Sequence, residues 1–291
     1  MTQAAREFVL TVSCPDAKGI VYAVSGVLFQ GGCNIIDSQQ FGDPASGLFF
    51  LRVHFDAPEH LAAVDRLQML FESTRAKFDM KARFYDLSGR PRLLLLVSRH
   101  GHCLNDLLFR WKSGQLPVDM VGVASNHDVL RDLAQNYDVA FHHLPIGAGA
   151  SAPERHAQEQ CIHDIVSRER VDLVVLARYM QILSDDLCGK LRGRAINSHH
   201  SFLPGFKGAK PYHQAYDRGV KVIGATAHFV TADLDEGPII EQIVEHVDHA
   251  FTPDMLVAAG RDSERRALSR AVRLATEHRV FLNGGRTVIF R

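Results

Sequence analysis

The densest run of groups able to do chemistry is Asn197-Ser198-His199-His200-Ser201-Phe202-Leu203-Pro204-Gly205-Phe206-Lys207-Gly208-Ala209. An apolar stretch beginning at Ala195 leads straight into amide, imidazole and hydroxyl groups and then a Pro/Gly loop, the composition of an active-site edge. Residues two apart on an extended backbone point to the same side, so the Asn197 amide and the His199 imidazole can reach one substrate atom. A second polar cluster, Thr231-Ala232-Asp233-Leu234-Asp235-Glu236-Gly237-Pro238, offers a carboxylate from a separate loop to complete an acid–base set. The plainer alternative is that the histidines are hydrogen-bonded groups closing a strand. Asp235, ahead of Glu-Gly-Pro, is equally a good turn residue.

Sixteen histidines invite a metal reading, at His142-His143, His100 and His102, or His246 and His249. None forms an HExxH pattern and no cysteine is spaced to assist, so no metal site is expected. The five cysteines include no CxxC pair, which predicts neither a disulfide framework nor a cysteine-rich zinc site. The chain has 291 residues, 46% hydrophobic and 23% charged, as ordinary globular proteins do, with room for one or two domains. Thirty-three basic residues balance thirty-three acidic ones, so a nucleic-acid partner bound through counterion release is not expected. Apolar runs such as 93–97 fall far short of the ~18 residues a membrane helix needs, which predicts no membrane association. The start, MTQAAREFVL, lacks the order of a signal peptide, and a reducing cytoplasmic location is expected.

The elements that position these groups follow from periodicity. Residues 7–14 alternate as a strand, and 19–30 have helical spacing through Ile20, Val24, Val27 and Leu28 before Gly31-Gly32. A second strand starts at Asn34, and 48–55 alternates with Phe49, Leu51, Val53 and Phe55 on one face. Pro58 opens a helix with Val64, Leu67, Phe71 and Phe78 on one stripe, and 81–85 forms a last strand. This βαββαβ order predicts a ferredoxin-like domain over 1–87. Ser88-Gly89-Arg90-Pro91 reads as a linker. Beyond it, strands are read at 92–98, 118–124, 139–144, 171–177 and 195–198, and runs such as Leu-Leu-Leu-Leu-Val and Leu-Val-Val-Leu-Ala are apolar throughout, as strands covered on both faces are. Intervening segments are long enough for crossover helices, so 92–291 is expected to be a doubly wound, mostly parallel α/β domain. Further strands are read at 220–230 and 237–247, and Thr252-Pro253 caps a final helix to His278. Ligands bind such sheets beyond the carboxyl ends of the strands, where Asn197 and His199 fall.

The string NSHHSFLPGFKGAKPYHQAYDRGVKVIGATAHFVTADLDEGPIIEQ resembles the signature of the folate-dependent formyltransferase fold. Over nearly its full length the chain is similar to the formyltetrahydrofolate deformylase family. That family joins an N-terminal ACT-type module to a C-terminal formyltransferase-like domain, which the resemblance places on 1–87 and 92–291. The superfamily pattern Asn-x-His-x-Ser with a later Leu-Asp-x-Gly-Pro falls on Asn197, His199, Ser201 and Leu234-Asp235-Glu236-Gly237-Pro238, implying a catalytic trio of Asn197, His199 and Asp235. Transferases commonly carry proline after the motif histidine; this chain has His200, as deformylases do. Glycinamide ribonucleotide transformylases also hold the acceptor's phosphate on a glycine- and serine-rich loop after the first strand. Here that place reads Ser98-Arg99-His100-Gly101-His102-Cys103-Leu104-Asn105-Asp106, whose lone glycine frees few backbone amides for an anion. Water is then the implied acceptor. Ser198 stands where the family more usually has an apolar residue, with its side chain expected to point away from the site.

The resemblance implies hydrolysis of 10-formyltetrahydrofolate to tetrahydrofolate and formate, the formate feeding purine synthesis, with the folate as substrate and no cofactor. Asn197 would donate to the developing oxyanion, a contribution of ~3–4 kcal/mol to the barrier. An ionised Asp235 favours the imidazolium of His199, which would hold the oxyanion or protonate the leaving nitrogen. Asp235 would also orient water or take its proton. The segment 177–184 resembles the family's pterin-binding stretch, implying folate contacts at Met180, Gln181, Ile182 and Leu183. Cys14-Pro15-Asp16-Ala17-Lys18-Gly19-Ile20 and Gly31-Gly32-Cys33-Asn34-Ile35 resemble an ACT-type effector site at Asp16, Gly19 and Asn34. Glycine or methionine is the candidate effector, and a homo-oligomer, dimer or tetramer, is expected. Two rival readings are a formyltransferase acting on an amine and a catalytically silent amino-acid sensor.

Overall fold

The computed structural model describes residues 6–147, 149–203, 205 and 211–291, so Pro204 and 206–210 of the motif loop lie outside the described residues. Two compact units are present. One takes the residues up to Arg90 with Glu277–Asn283 and Val288–Arg291, and the other takes Pro91–Thr276 with Gly284–Thr287.

The first unit contains β1 (Arg6–Pro15), α1 (Ile20–Gln30), β2 (Asn34–Asp43), β3 (Leu48–Ala57), α2 (Val64–Lys77) and β4 (Lys81–Asp86). The strands pair antiparallel in the order β2-β3-β1-β4, a ferredoxin-like sheet. Alternation explains the packing. Phe8, Leu10 and Val12 of β1 and Leu51, Val53 and Phe55 of β3 bury one face against Ile20, Val24 and Leu28 of α1 and Leu67 and Phe71 of α2. The helix expected from Pro58 is instead a single 3-10 turn, Glu59–Leu61, because extended backbone at Ala63 interrupts it before α2 begins.

The second unit contains β5 (Arg92–Val97), α3 (His102–Lys112), β6 (Asp119–Ser125), α4 (Arg131–Gln135), β7 (Phe141–His143), α5 (Ala152–Arg168), β8 (Leu173–Leu176), α6 (Asp185–Lys190), β9 (Ala195–His199), α7 (Pro211–Asp217), β10 (Val222–Phe229), β11 (Ile239–His246) and α8 (Pro253–Thr276). Its sheet runs β11-β10-β9-β8-β5-β6-β7. The five strands from β9 to β7 in that order are parallel, while β10 is antiparallel to both β9 and β11. Every residue from Leu93 to Val97 is fully buried, which is why these runs are apolar without alternation. On one face Leu94, Leu96, Val174 and Leu176 meet Ile162, Ile165 and Val166 of α5; α8 packs on α3, β9, β10 and β11. The chain moves outward from β5 to β6 and β7, then returns to β8 on the other side. That reversal between β5 and β8 is a topological switch point, where open α/β sheets bind ligands.

The C-terminal boundary differs from the sequence expectation. After α8 the chain forms a two-stranded pair, β12 (Val280–Asn283) and β13 (Arg286–Ile289). Phe281 and Phe290 cluster with Phe50 of β3, so most of 277–291 belongs to the first unit rather than the second. Burial of two aromatic rings against the sheet face opposite α1 and α2 drives this return. Among the described residues no helix is long and apolar enough to cross a membrane.

His278 lies in the same returning segment, stacked on Tyr85 at 3.6 Å between ring centroids. Burial, with the Arg52 guanidinium adding to it, lowers His278 from 6.5 to about 4. The unfolded chain therefore binds a proton that the folded chain refuses in this range, and stability rises with pH from about 4 to 6.5. Denaturant unfolding should give lower stability at pH 5 than at pH 7, and His278→Phe should flatten part of that dependence. An unchanged slope in the variant would refute the assignment.

Candidate active site

Strand β9 ends on the groups that matter. Asn197 and His199 face one side by alternation, and the antiparallel partner strand sets His228 opposite Asn197. The Asn197 Nδ2 lies 3.4 Å from His228 Nε2, while His228 Nδ1 donates to the Phe229 carbonyl at 2.9 Å. That second bond fixes the His228 ring, whose Nε2 faces both the Asn197 amide and the Asp235 carboxylate. The Asp235 carboxylate stands 3.1 Å from His199 Nδ1 and 3.6 Å from His228 Nε2. Burial alone would raise its pKa; the hydrogen bonds from His199 and His228 outweigh burial and hold it well below the usual carboxylate range. His199 is 6% exposed, and its Nε2 has no hydrogen-bond partner among the described residues. A buried imidazole held by a carboxylate at one nitrogen and vacant at the other is arranged to meet a reacting atom.

The loop between β10 and β11 needs special backbone to deliver Asp235. Asp235 adopts φ 57°, in the left-handed region that asparagine and aspartate tolerate best. Two residues on, a Cβ built on Gly237 would fall 1.7 Å from the Phe229 carbonyl oxygen, so only glycine fits there. The turn leaving β9 is held by Thr226, whose Oγ1 donates to the Ser201 carbonyl at 3.0 Å and accepts from the Leu203 amide at 3.1 Å. The motif's Ser201 in turn donates to the Gly205 carbonyl.

The predicted folate segment leaves β8 beside β9, with Leu176 in register with Asn197. Ser98, at the end of β5, accepts a hydrogen bond from the Met180 amide at 3.0 Å and donates to Asn126. At the far end Ser184 caps α6 and is gripped by the buried Glu159 of α5, through both its amide and its hydroxyl. Met180 and Ile182 are 55% and 69% exposed, large apolar side chains left facing outward on a pinned loop. Gln181 is half-buried, and Leu183 is buried in the core with Ile162 and Leu187. A flat ring can stack on Met180 and Ile182; Leu183 acts through the scaffold.

Comparison with known proteins decides the family. The formyl transferase family matches residues 91–272. A formyltetrahydrofolate deformylase from Corynebacterium sp. (strain P-1) is 50% identical over 97% of this chain and 98% of its own. The crystal structure of a formyltetrahydrofolate deformylase from Burkholderia mallei superposes with a TM-score of 0.92 at 52% identity, covering 98% of this chain and 100% of that one. One from Pseudomonas syringae pv. tomato gives 0.93 at 41% identity, covering 100% and 96%. The chain belongs to the formyltetrahydrofolate deformylase family.

Three residue groups complete the picture of this deformylase-family chain. The suggested effector residues are divided. Asp16, whose amide donates to Gly47, and the left-handed Gly19 sit at the end of the sheet where β3 begins. Asn34 pairs with Asp56 at the other end of β3, roughly 26 Å away at 3.3 Å per residue, with its side-chain amide on the Asp56 carboxylate. The three therefore do not form one site within a single chain.

The sequence offered no cysteine spaced to assist a histidine metal site, but the fold brings the distant Glu264 to the adjacent His102 and Cys103. The ligand atoms of His102, Cys103 and Glu264 lie within 4.8 Å of one another. The chemistry there is that of an ion-pair core, because the Arg178 guanidinium reaches the same carboxylate at 3.5 Å and repels a second cation. Burial, then the Glu264 charge, pushes the Cys103 thiol far up. His228 was also missed, although its signal is present: Thr226 and His228 are the two polar residues, two apart, in an otherwise apolar strand.

Ser198 points opposite to the trio and is 4% exposed, with its hydroxyl unpartnered among the described residues. Ser198→Ala should raise stability by about 1 kcal/mol in denaturant unfolding, since an unpaired buried hydroxyl is removed. A loss on substitution would reveal a partner for the hydroxyl. Gly237→Ala should destabilise by roughly 2 kcal/mol or more, because the backbone carbonyl it strikes cannot yield.

Proposed function

We propose that this chain hydrolyses 10-formyltetrahydrofolate to tetrahydrofolate and formate. One observation carries the reading most: the Asn197 amide and the vacant His199 Nε2 share a side of β9, with the imidazole backed by an ionised, half-buried Asp235. The pterin lies on the Met180–Ile182 stretch, bringing the formyl group to the end of β9. As water attacks the formyl carbon, the carbonyl electron pair moves onto oxygen, where Asn197 Nδ2–H and His199 Nε2–H receive it. Asp235 stabilises the imidazolium that this requires, and its ion pair costs no reorganisation during the step. The carbon–nitrogen bond then breaks, the proton given up by the attacking water is passed to the leaving nitrogen, and formate is released.

Family membership supports water as the acceptor, and so does the loop after β5, whose His102 is committed to Glu264. The protein acts in the cytoplasm, and its formate serves purine synthesis. The first unit acts as an ACT-type regulatory module, responding to a small amino acid such as glycine or methionine within a homo-oligomer; its ferredoxin-like sheet supports that reading.

Purified protein given 10-formyltetrahydrofolate and no amine should release formate. Asn197→Ala, His199→Ala and Asp235→Ala should each lower kcat by about 10²–10³-fold. Near-normal turnover in all three would reject the assignment, and a rate that needs an added amine would favour a formyltransferase instead.

A further inference from the structure

The proposed reaction needs an acceptor for the water's proton, and Asp235, ion-paired with His199 and held well below the usual carboxylate range, is a poor one. Each oxygen of Asp235 already faces an imidazole nitrogen, His199 Nδ1 at 3.1 Å and His228 Nε2 at 3.6 Å. Asn197 and His199 Nε2 serve as donors to the carbonyl oxygen. An attacking water needs an acceptor for its proton, and the residue that follows His199 offers an imidazole beside it.

His200 is half-buried, with its ring centroid 5.1 Å from that of His199 and 6.3 Å from that of Tyr212. Neither of its ring nitrogens has a hydrogen-bond partner among the described residues. Burial, then the Arg178 guanidinium, lowers it from 6.5 to about 4, so at neutral pH the ring carries no proton on one nitrogen. Around it is an assembly whose cost demands a reason. Glu264 is 2% exposed and takes bonds from His102 Nε2 at 2.8 Å and the Tyr212 hydroxyl at 3.1 Å, with Arg178 Nε at 3.5 Å. Burial would raise Glu264, but the His102 bond and the Arg178 charge outweigh it and keep the carboxylate ionised. Arg178 is held in the left-handed region, at φ 66°, strain that a loop residue other than glycine carries only when its surroundings impose it. One turn before Glu264, a Cβ on Gly260 would fall 2.0 Å from Tyr212 Cζ, so the helix is cut away to admit that ring. A buried ion pair is seldom more stabilising than apolar packing of the same volume.

We propose that His200 is the catalytic residue that holds the attacking water and takes its proton, and that Glu264, Arg178 and Tyr212 are positioning residues that fix its setting. The inference rests on the hydrolytic reading above. The water O–H donates to the free imidazole nitrogen. As the oxygen–carbon bond forms, that proton passes to His200 and the carbonyl pair moves to the oxygen facing Asn197 and His199. Glu264 supplies the negative charge opposite the new imidazolium. When the carbon–nitrogen bond breaks, its electron pair takes the proton from His200, leaving the secondary amine and formic acid, which ionises to formate.

The test is steady-state formate release from 10-formyltetrahydrofolate without amine, on the full chain. His200→Ala should lower kcat by about 100-fold or more with KM within about threefold, as loss of a general base does. His200→Gln, close in size and able to hold a water but not take its proton, should show the same kcat loss while binding tetrahydrofolate as the parent does. Tyr212→Phe and Glu264→Gln should each lower kcat about tenfold alone but add less than about twofold in the His200→Ala background, the non-additivity of groups acting through one residue. A kcat within tenfold of the parent in both His200 variants, a loss confined to KM, or additive losses in the double variants would overturn the proposal. Absence of formate release from the parent would instead overturn the hydrolytic reading on which it rests.

Discussion

A carboxylate taken out of water must be paired, and the pairing of Asp235 governs the arrangement of everything near it. Its partners are His199 on β9 and His228 on β10, so two neighbouring strands must present imidazoles on one face in the right register. Because β10 is antiparallel, the chain leaving it must fold back over the pair to return a side chain to them. That return is tight enough that Gly237 lies on the Phe229 carbonyl and Asp235 takes a left-handed conformation. The local backbone strain and the glycine are consequences of delivering one charge to two rings. The Asn197 amide is oriented by the same His228, so the geometry at β9 inherits its precision from β10.

A second carboxylate, Glu264, is fully buried and stands in a different environment. Its partners come from α3, the loop after β8, and α7, elements that reach one point only through the fold. Between the two carboxylates sit His199 and His200, adjacent in sequence and treated oppositely. One is held by a carboxylate; the other is kept neutral by burial and by Arg178. Neighbouring imidazoles given such unlike surroundings can play different parts in one site.

Much of this was legible in the chain itself, wherever the cause was local. The alternation of 48–55, the helical stripe of α1, and the all-apolar runs at Leu93–Val97 each report burial directly. The two-residue spacing of Asn197 and His199 reports a shared face on a strand. Residues whose role depends on a distant partner were not legible. Glu264 lies on a helix with buried neighbours and reads as an ordinary helix residue until His102, 162 positions earlier, is seen beside it. His228 is similar, since its meaning comes from the register with β9. The return of Phe281 and Phe290 to Phe50 is a long-range apolar contact that no local period announces. Asp16 and Asn34 failed to converge for the opposite reason: they are near in sequence, but a strand of ten residues separates them in space.

Buried polar atoms without partners make the same point from the side of stability. Among the described residues these are Arg178 Nε, Ser198 Oγ, His199 Nε2 and Ser263 Oγ. Folded proteins leave few such atoms, each at a cost of about 1–3 kcal/mol. All four lie in the second unit, two on β9 beside Asp235 and two in or next to the Glu264 cluster. A sequence tuned only for stability would satisfy or remove them. In the proposed reaction His199 Nε2 stays open because a protein partner there would occupy the place of the reacting oxygen. Ser198, facing the opposite way, has no such reason. The distinction separates an unpaired group with a place in the proposed reaction from one that the fold merely tolerates.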